Sequence, residues 1–562
     1  MENQSTISAY QKIVSKWAFQ EPISFPEEFA QKRFQRKMEQ PSRDNDKILH
    51  KNAWSDFIEH DNQMPDIHLP SGEWYQARAL LHSWIRGDSE RSPIDFPKGS
   101  SVIPTRGLNS IEFRLAGGSW TCTPENFDEF SKLVYNHKAL KRAFRKRYTT
   151  WFLRSRFKQT FKESERILWK RFGEKPNAGY LIYRWKLAQI TTFVRGSRFS
   201  TVPKNNQKRR PINIEPFGNL LVQRQIGNFL RKCLKDQGID LDSLAQLHCE
   251  RIKDPTVATI DLKNASDSVS MHLVRFMFPI KIVKRLEKSR SFLLFGADGE
   301  YHIPKKISSM GNGFTFELMT AILNALCRTL DPKASVFGDD IIITKDCANR
   351  LIELLTEVGF TVNLEKSFVD GPFRESCGAN YHDEWGYIDS FDFLYPNTIA
   401  DCALILSKCY ALKKYESFSL LYDQLFKRTP AALRGGPLPM VRGLVSWSQP
   451  DLTPGFCCDI EYLKDAHHKI ASLIQRAFHV SNVKEAIEFV WKPELRTKTT
   501  KQLVNRRHWA KYEMYLHAGR ACDDVVSGSG QWVIKKVYFI NGQLYRFDSK
   551  YLRELRSMFS KT

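Results

Sequence analysis

What this 562-residue sequence lacks narrows its reading before any motif is considered. No apolar run approaches the ~18 residues that a membrane-spanning helix needs. The first residues, Met-Glu-Asn-Gln-Ser-Thr, contain neither the basic nor the apolar stretch of a secretion signal. The 11 cysteines form no Cys-x-x-Cys pair and no His/Cys spacing suited to zinc, and the adjacent Cys457 and Cys458 cannot readily bridge to each other. Scattered and odd in number, they read as reduced thiols of a cytoplasmic protein. There is no repeat of 20–50 residues and no low-complexity tract. Acid is also scarce: 62 Asp and Glu stand against 85 Lys and Arg, a net charge of +23. That excess predicts a polyanionic partner, nucleic acid first and an anionic membrane surface second.

What is present describes a folded chain. Hydrophobic residues make up 42% and aromatics 12%, enough to bury the cores of two or three domains. Ser71 is placed to cap a helix whose Trp74, Ala77, Leu81 and Trp84 recur at helical spacing. A long Ser/Pro/Gly-rich loop, Gly87 to Gly107, suits a binding loop or a subdomain joint.

Basic residues are concentrated in residues 138–171, where 13 Lys or Arg face only Glu163 and Glu165. Arg142, Arg145, Lys146, Arg147, Arg154 and Arg156 are the candidate nucleic-acid contacts. Tyr148, Trp151, Phe152, Phe157 and Phe161 lie among the cations. Such a mixture suits a groove that neutralises phosphates and stacks bases, or helices with buried aromatics and solvated charges. A second basic segment, 202–212, places Lys204, Lys208, Arg209 and Arg210 between prolines. The prolines predict an extended or looped segment able to clamp a triphosphate; a solvated loop or a localisation patch would use the same residues.

Four later stretches carry the chemistry. Val257–Leu262 reads as a buried strand that brings Asp261 to its end, with Asn264, Ser266 or Asp267 capping a helix over Met271–Phe278. Residues Ser308–Gly313 form a glycine-containing loop before a long helix with Phe314, Leu318, Ala321, Ile322 and Ala325 on one face. Ala334–Thr344 reads A-S-V-F-G-D-D-I-I-I-T, a tight hairpin with Asp339 and Asp340 at its tip between apolar strands. Two carboxylates so placed repel each other unless a cation lies between them, and oxygen ligands suit Mg²⁺ or Mn²⁺. A solvated turn is the plain alternative. Asp346 then caps a helix carrying Leu351, Leu355 and Val358 and closed by Gly359, followed by a strand at Phe360–Asn363 and Lys366. Beyond Leu394 the pattern turns largely helical, with helices expected from about Ala400 to Lys413 and near 462–478 and 483–490. A further basic segment lies at Arg496–Lys511, and an Asn-Gly hairpin at 537–547.

The order is a basic loop, a strand-ending Asp, a Ser/Gly loop with helix, a G-D-D hairpin, then helix, strand and Lys. It resembles motifs F, A, B, C and D of a right-hand polymerase palm. The runs D-L-K-N-A-S-D-S-V-S, I-S-S-M-G-N-G-F-T-F-E-L, F-G-D-D-I-I-I and G-P-F-R-E-S-C-G look like the replicase β subunits of the small positive-strand RNA bacteriophages, the group containing phage Qβ. The resemblance is tightest from about 200 to 380.

It implies an α+β fold of fingers, palm and thumb, with an antiparallel-sheet palm carrying the G-D-D hairpin. Residues 1–242 would form the N-terminal region and fingers, 243–378 the palm, and 379–562 the thumb and C-terminal region. The implied activity is RNA-directed RNA synthesis. Asp261, Asp339 and Asp340 would bind two Mg²⁺ ions, with Mn²⁺ a substitute. Lys204, Lys208, Arg209 and Arg210 would hold the nucleotide's phosphates; which arginine matches the family's cation stays open. Lys366 would be the general acid for pyrophosphate. Ser266, Asp267, Ser309 and Asn312 are candidates for sensing the ribose 2′-hydroxyl. Phe337 stands where family members commonly carry tyrosine. The resemblance further implies a single-stranded RNA template, ribonucleoside triphosphates, host elongation factors Tu and Ts, a ribosomal RNA-binding protein, no membrane, and the cytoplasm of an infected bacterium.

Three rivals use part of the same residues. A reverse transcriptase usually has Ala or Met where Gly338 stands. A non-catalytic RNA-binding or translation-regulatory protein gains nothing from three carboxylates that repel phosphate. A metal-dependent nuclease leaves the basic loop unexplained.

Overall fold

A computed structural model describes residues 2–38, 43–65, 70–95, 115, 120–204, 208–388, 393, 395–397 and 399–428, with strand backbones at 455–457, 483–493, 530–540 and 543–545. The described chain mixes helix and sheet and divides into two compact units. One takes Arg43–Ile388. The other joins the helices before Ser42 to the described residues after Asp389.

The larger unit is built around the helix Thr315–Leu330. Its apolar spacing predicts one buried face, yet every residue from Thr315 to Cys327 except Phe316 is buried. A helix apolar nearly all round belongs in the interior. It packs against the helices Gly72–Trp84 and Phe217–Asp236. Trp74, Ala77, Leu81 and Trp84 are buried as their spacing predicts, and the Trp74 indole donates to the Leu354 carbonyl at 3.2 Å.

Strand β1 (Trp120–Cys122) pairs in parallel with β2 (Thr191–Phe193). β3 (Gly196–Pro203) and β4 (Arg209–Ile214) form an antiparallel hairpin, extended by β6 (Leu293–Phe295) and β7 (Tyr301–His302). The basic segment read as extended or looped is largely strand, and Arg209 and Arg210 project to opposite sides of β4. The central sheet is antiparallel throughout, in the order β10 (Thr361–Val362), β5 (Val257–Lys263), β9 (Asp340–Thr344), β8 (Ser335–Phe337). Ile341 and Ile343 join the main helical core. Ile342 packs on the other face with Ile252, Val257, Ala379 and Tyr381. An unbroken Ile-Ile-Ile run fits a strand covered on both faces. The second cover is a meander, β11 (Phe373–Ser376), β12 (Ala379–His382) and β13 (Gly386–Tyr387).

Two predicted caps are corrected. Ser270, not Asn264, Ser266 or Asp267, caps the helix Met271–Met277, its hydroxyl accepting from Leu273 N–H. The intervening residues form a short 3₁₀ turn entered by Asn264 at φ +51°. The helix Lys345–Glu357 begins after Thr344, so Asp346 lies in its first turn, where a carboxylate still complements the helix dipole.

In the smaller unit, the helices Glu2–Val14, Phe25–Met38, Ile399–Ala411 and Glu416–Arg428 share a core containing Phe34, Phe393 and Phe418. Beyond it lies a sheet, β14 (Gly455–Cys457), β15 (Val483–Pro493), β16 (Gly530–Ile540) and β17 (Gln543–Tyr545). The helix expected at 483–490 is strand β15. Its β-branched and aromatic residues pair with β16 over its full length, and that long-range pairing outweighs the helical spacing. Ile540 opposite Gln543 fits the predicted two-residue hairpin connection. The helix expected at 462–478 and the basic segment Arg496–Lys511 lie outside the described residues.

Candidate active site

Asp261 on β5 is the direct cross-strand partner of Asp340 on β9. Directly opposed residues in an antiparallel pair project from the same face, so two carboxylates far apart in sequence stand side by side. Asp340 also faces Phe337 across the hairpin, and Asp339 sits exposed at its tip. The turn is fixed from below by the helix Thr315–Leu330. Thr320 accepts from Gly338 N–H at 3.1 Å, Asn324 donates to the Val336 carbonyl at 2.9 Å, and the Phe316 and Phe337 rings meet edge-on. Gly338 has φ +66°, and an added Cβ would come within 2.6 Å of Phe316, so glycine is required twice over.

Asp261 and Asp340 are held by neighbours. Asn363 donates to Asp261 Oδ2 at 2.6 Å, and its backbone N–H donates to the Asp261 carbonyl. The backbone N–H of Cys377, a residue in the left-handed region, hydrogen-bonds Asp340. Burial, then the charges of Asp339, Asp261 and Glu375, pushes the Asp340 carboxyl up to about 7. Asp261 is raised in the same way, with Asn363 and Lys366 opposing the shift. Behind the hairpin, buried His248 lies 2.8 Å from both the Ser335 and Ser376 hydroxyls, and burial lowers its pKa to about 4.

Cations ring the carboxylates. Lys366 lies 3.6 Å from Glu375 and acts electrostatically on Asp261. Lys204 is lowered by partial burial and by Arg210, Lys366 and Lys208, while Asp261 pulls it back. The β3–β4 hairpin therefore brings Lys204 within reach of Asp261, with Lys208 and Arg210 beside Lys204. Arg209 is turned aside: its guanidinium donates to the Thr201 hydroxyl and carbonyl and pairs with Asp46.

The Ser308–Gly313 loop is docked on β4, with Asn213 N–H donating to the Met310 carbonyl at 2.8 Å. Gly311, at φ +103°, has no room for a Cβ beside the Asn213 carbonyl. The Asn312 side-chain Oδ1 accepts from Phe314 N–H, so that side chain is partly used in starting the helix. Ser309 and Asp267 are buried near one another, whereas Ser266 is half-buried. The RNA-contact candidates lie apart, on the helix Lys138–Arg154 and just beyond it. Arg142, Arg145, Lys146, Arg154 and Arg156 are exposed, and Arg147 lies over the Trp120 ring.

Three site residues escaped the sequence reading. Asn363 was legible only as a strand end, though a polar residue at the edge of an apolar strand is a signal. Glu375 and Cys377 lie in the E-S-C-G run without a pattern that assigns them a role.

Residues 180–389 match the family model described as RNA replicase, beta-chain. The matched stretch contains all three aspartates, Lys366 and the β3–β4 hairpin. Over 242 residues the chain is 39% identical to the RNA-directed RNA polymerase subunit beta of Escherichia virus Qbeta, covering 40% of this chain and 39% of that one. Over 197 residues it is 40% identical to the RNA-directed RNA polymerase beta chain of Escherichia phage MS2, covering 33% and 36%. The chain thus matches well under half the length of these relatives. Among solved structures it is similar to the RNA-dependent RNA polymerase of a human picorbirnavirus. That likeness is slight: TM-score 0.29 and 15% identity over 44% of this chain and 58% of the other.

Among the described residues, no three His, Cys, Asp or Glu side chains stand close enough to cage a metal ion. The donor chemistry nonetheless fits a divalent cation. The donors are all oxygen, and their mutual repulsion is the kind a cation relieves. Mg²⁺ sites commonly use one or two carboxylates and complete the shell with water and substrate phosphate.

Proposed function

We propose that this chain is the RNA-directed RNA polymerase subunit of a phage replicase, copying single-stranded RNA from ribonucleoside triphosphates. The observation that carries the reading is the register of Asp261 against Asp340 on the G-D-D hairpin, within the stretch that matches the replicase family. The central sheet is the palm of a fingers–palm–thumb polymerase, within residues 243–378; residues 1–242 supply the N-terminal region and fingers, and 379–562 the thumb and C-terminal region.

Asp261, Asp339 and Asp340 would hold two Mg²⁺ ions, which would neutralise phosphate charge and make a primer 3′-hydroxyl easier to deprotonate. Asn363 and Cys377 orient two of those carboxylates. Lys204, Lys208 and Arg210 bind the triphosphate from the β3–β4 hairpin, and Arg209 braces that hairpin. Lys366 is placed to give a proton to the departing pyrophosphate, with Glu375 keeping its ammonium in position. Asp267, Ser309, Asn312 and Ser266 line the ribose side. The exposed cations of residues 138–156 carry template or product RNA.

The polymerase would work in the cytoplasm of an infected bacterium with elongation factors Tu and Ts and a ribosomal RNA-binding protein. No helix among the described residues is long and apolar enough to cross a membrane. The test is ribonucleotide incorporation on single-stranded RNA with Mg²⁺, for the wild type and Asp339→Asn, with and without the elongation factors. Template-length product from the wild type alone is expected. RNA binding without product under every condition would favour a non-catalytic RNA-binding protein.

A further inference from the structure

Behind the G-D-D hairpin, three segments remote in sequence meet at one imidazole that the reading above leaves unused. His248, on the helix Leu244–Arg251, is fully buried. Its Nε2 faces the Ser335 hydroxyl at 2.8 Å. Its Nδ1 faces the Ser376 hydroxyl at 2.8 Å and the Cys377 thiol at 3.5 Å. Ser335 opens β8, the first strand of the G-D-D hairpin, and Ser376 ends β11. Burial lowers the pKa of the ring to about 4 and so keeps it neutral. A neutral imidazole donates from one nitrogen and accepts at the other, which suits a bridge between two hydroxyls.

Strand register shows what this bridge fixes. Ser335 and Phe337 of β8 stand opposite Ile342 and Asp340 of β9, so all four share one face of the hairpin. On that face Ile342 packs against Ala379 and Tyr381, which places Asp340 toward the meander. The meander meets it with a tight turn. Ser376 pairs with Ala379, leaving the two-residue connection Cys377-Gly378 at φ +51° and +79°. Two positive φ values are what a type I′ hairpin requires, and they are uncommon for a residue with a side chain. In that turn both the backbone N–H and the thiol of Cys377 hydrogen-bond Asp340. A sparsely populated conformation persists only where its surroundings hold it. Arg374, two residues before Ser376, donates to the Ile252 carbonyl at 2.6 Å and keeps the body of β11 on the end of the helix. His248 holds the turn itself.

We propose that His248 is a positioning residue: by bridging Ser335 and Ser376 it locks the β11–β12 turn to the G-D-D hairpin and so sets where the Asp340 carboxylate stands. The inference rests on the polymerase reading, in which Asp340 would hold a divalent cation. Without the imidazole, two buried hydroxyls lose a partner, and the hairpin and the turn lose the group that ties them together. Cys377 then no longer fixes Asp340. A shift of about 1 Å in a reacting constellation costs on the order of 100-fold in rate. Nucleotide and RNA binding draw on the β3–β4 hairpin and the basic helices, so the loss falls on turnover and on the cation.

The experiment uses the full chain and compares the wild type with His248→Leu, His248→Gln and Ser376→Ala. It measures kcat and nucleotide KM on one RNA template, Mn²⁺ affinity by electron paramagnetic resonance without substrate, and thermal melts. His248→Leu is expected to lower kcat about 10- to 100-fold while nucleotide KM stays within about twofold. Its Mn²⁺ affinity is expected to fall several-fold. His248→Gln, whose amide has both a donor and an acceptor, is expected to recover most of both quantities, and Ser376→Ala to show the same losses in weaker form. A lower melting temperature in His248→Leu with kcat and Mn²⁺ affinity at wild-type values would make His248 a fold-stabilising residue and overturn the inference alone. If His248→Leu does not fold, wild-type kcat and Mn²⁺ affinity in Ser376→Ala overturn it equally. Wild-type protein that neither incorporates ribonucleotides nor binds Mn²⁺ would overturn the polymerase reading and this inference with it.

Discussion

The carboxylate end of the central sheet and the basic helices of residues 138–172 both carry dense like charge, but they handle it differently. At the sheet, Asp261 and Asp340 are half-buried, directly opposed and close to Asp339 and Glu375, and burial first, then the neighbouring carboxylate charges, raises the pKa of both. Along the helices Lys138–Arg154 and Lys158–Phe172 the cations face water, and the second helix buries no residue at all. Solvent screens like charges on such a surface, whereas burial concentrates their effect. Electrostatic work is therefore stored at a few residues in the first region and spread over many in the second. Single substitutions should be severe in one and mild in the other.

The largest effect is expected at Asp340. Asp340→Asn should cut ribonucleotide incorporation by about 10³-fold or more, the scale of losing a group that stabilises transition-state charge. The same variant should be more stable without metal. Asp340 titrates at about 7 in the folded chain, against 3.8 for the unperturbed group. Between those values the folded chain keeps a proton that the unfolded chain has released, so stability falls as pH rises from about 4 to about 7. Asparagine cannot ionise. In metal-free buffer Asp340→Asn should melt with the wild type at pH 4 and above it at pH 8, by roughly 1–3 kcal/mol after discounting for residual solvent. Parallel melting curves at both pH values would mean that the carboxylates are not crowded, and the contrast with the basic helices would collapse.

An intermediate case lies on β4, where adjacent arginines sit on opposite sides of one strand. Arg210 acts on Lys204 beside the carboxylates, while Arg209 is tied to Thr201 and Asp46. Arg210→Ala should raise the nucleotide KM by about 10- to 100-fold, as for loss of a charge-assisted phosphate contact of roughly 1.5–3 kcal/mol. Arg209→Ala should act mainly on stability, seen as a lower melting temperature with a smaller change in KM. The reverse order would mean that the hairpin turns its other face to the nucleotide.

This pair shows where the sequence was legible. The G-D-D hairpin, the strand ending near Asp261 and the buried Gly72–Trp84 helix could be read because local pattern and tertiary role agree there. The choice between Arg209 and Arg210 could not, since it depends on strand register and on Asp46, which lies far away in sequence. Asn363, Glu375 and Cys377 were hidden for the same reason: each acts on an aspartate through a cross-strand contact. Strand β15 was misread as helix because its partner, β16, begins far along the chain. The cap at Ser270 was missed by a few residues, since several oxygen-bearing side chains competed locally for the same role.

The mildest effects are expected on the basic helices, and they test the other half of the contrast. Arg154 and Arg156 are exposed at the end of the first helix. If each meets one RNA phosphate, the double replacement Arg154→Ala with Arg156→Ala should reduce the slope of log affinity against log salt by about 1.4, or about 0.7 for each phosphate of a single strand. Affinity near physiological salt should fall only several-fold, and the nucleotide KM should not move. The slope is the informative quantity, because lost packing would weaken binding equally at every salt concentration. An unchanged slope would place the RNA elsewhere. A steep loss at high salt would mean that Phe157, which is 67% exposed beside these arginines, is engaged through stacking that the double replacement disturbs.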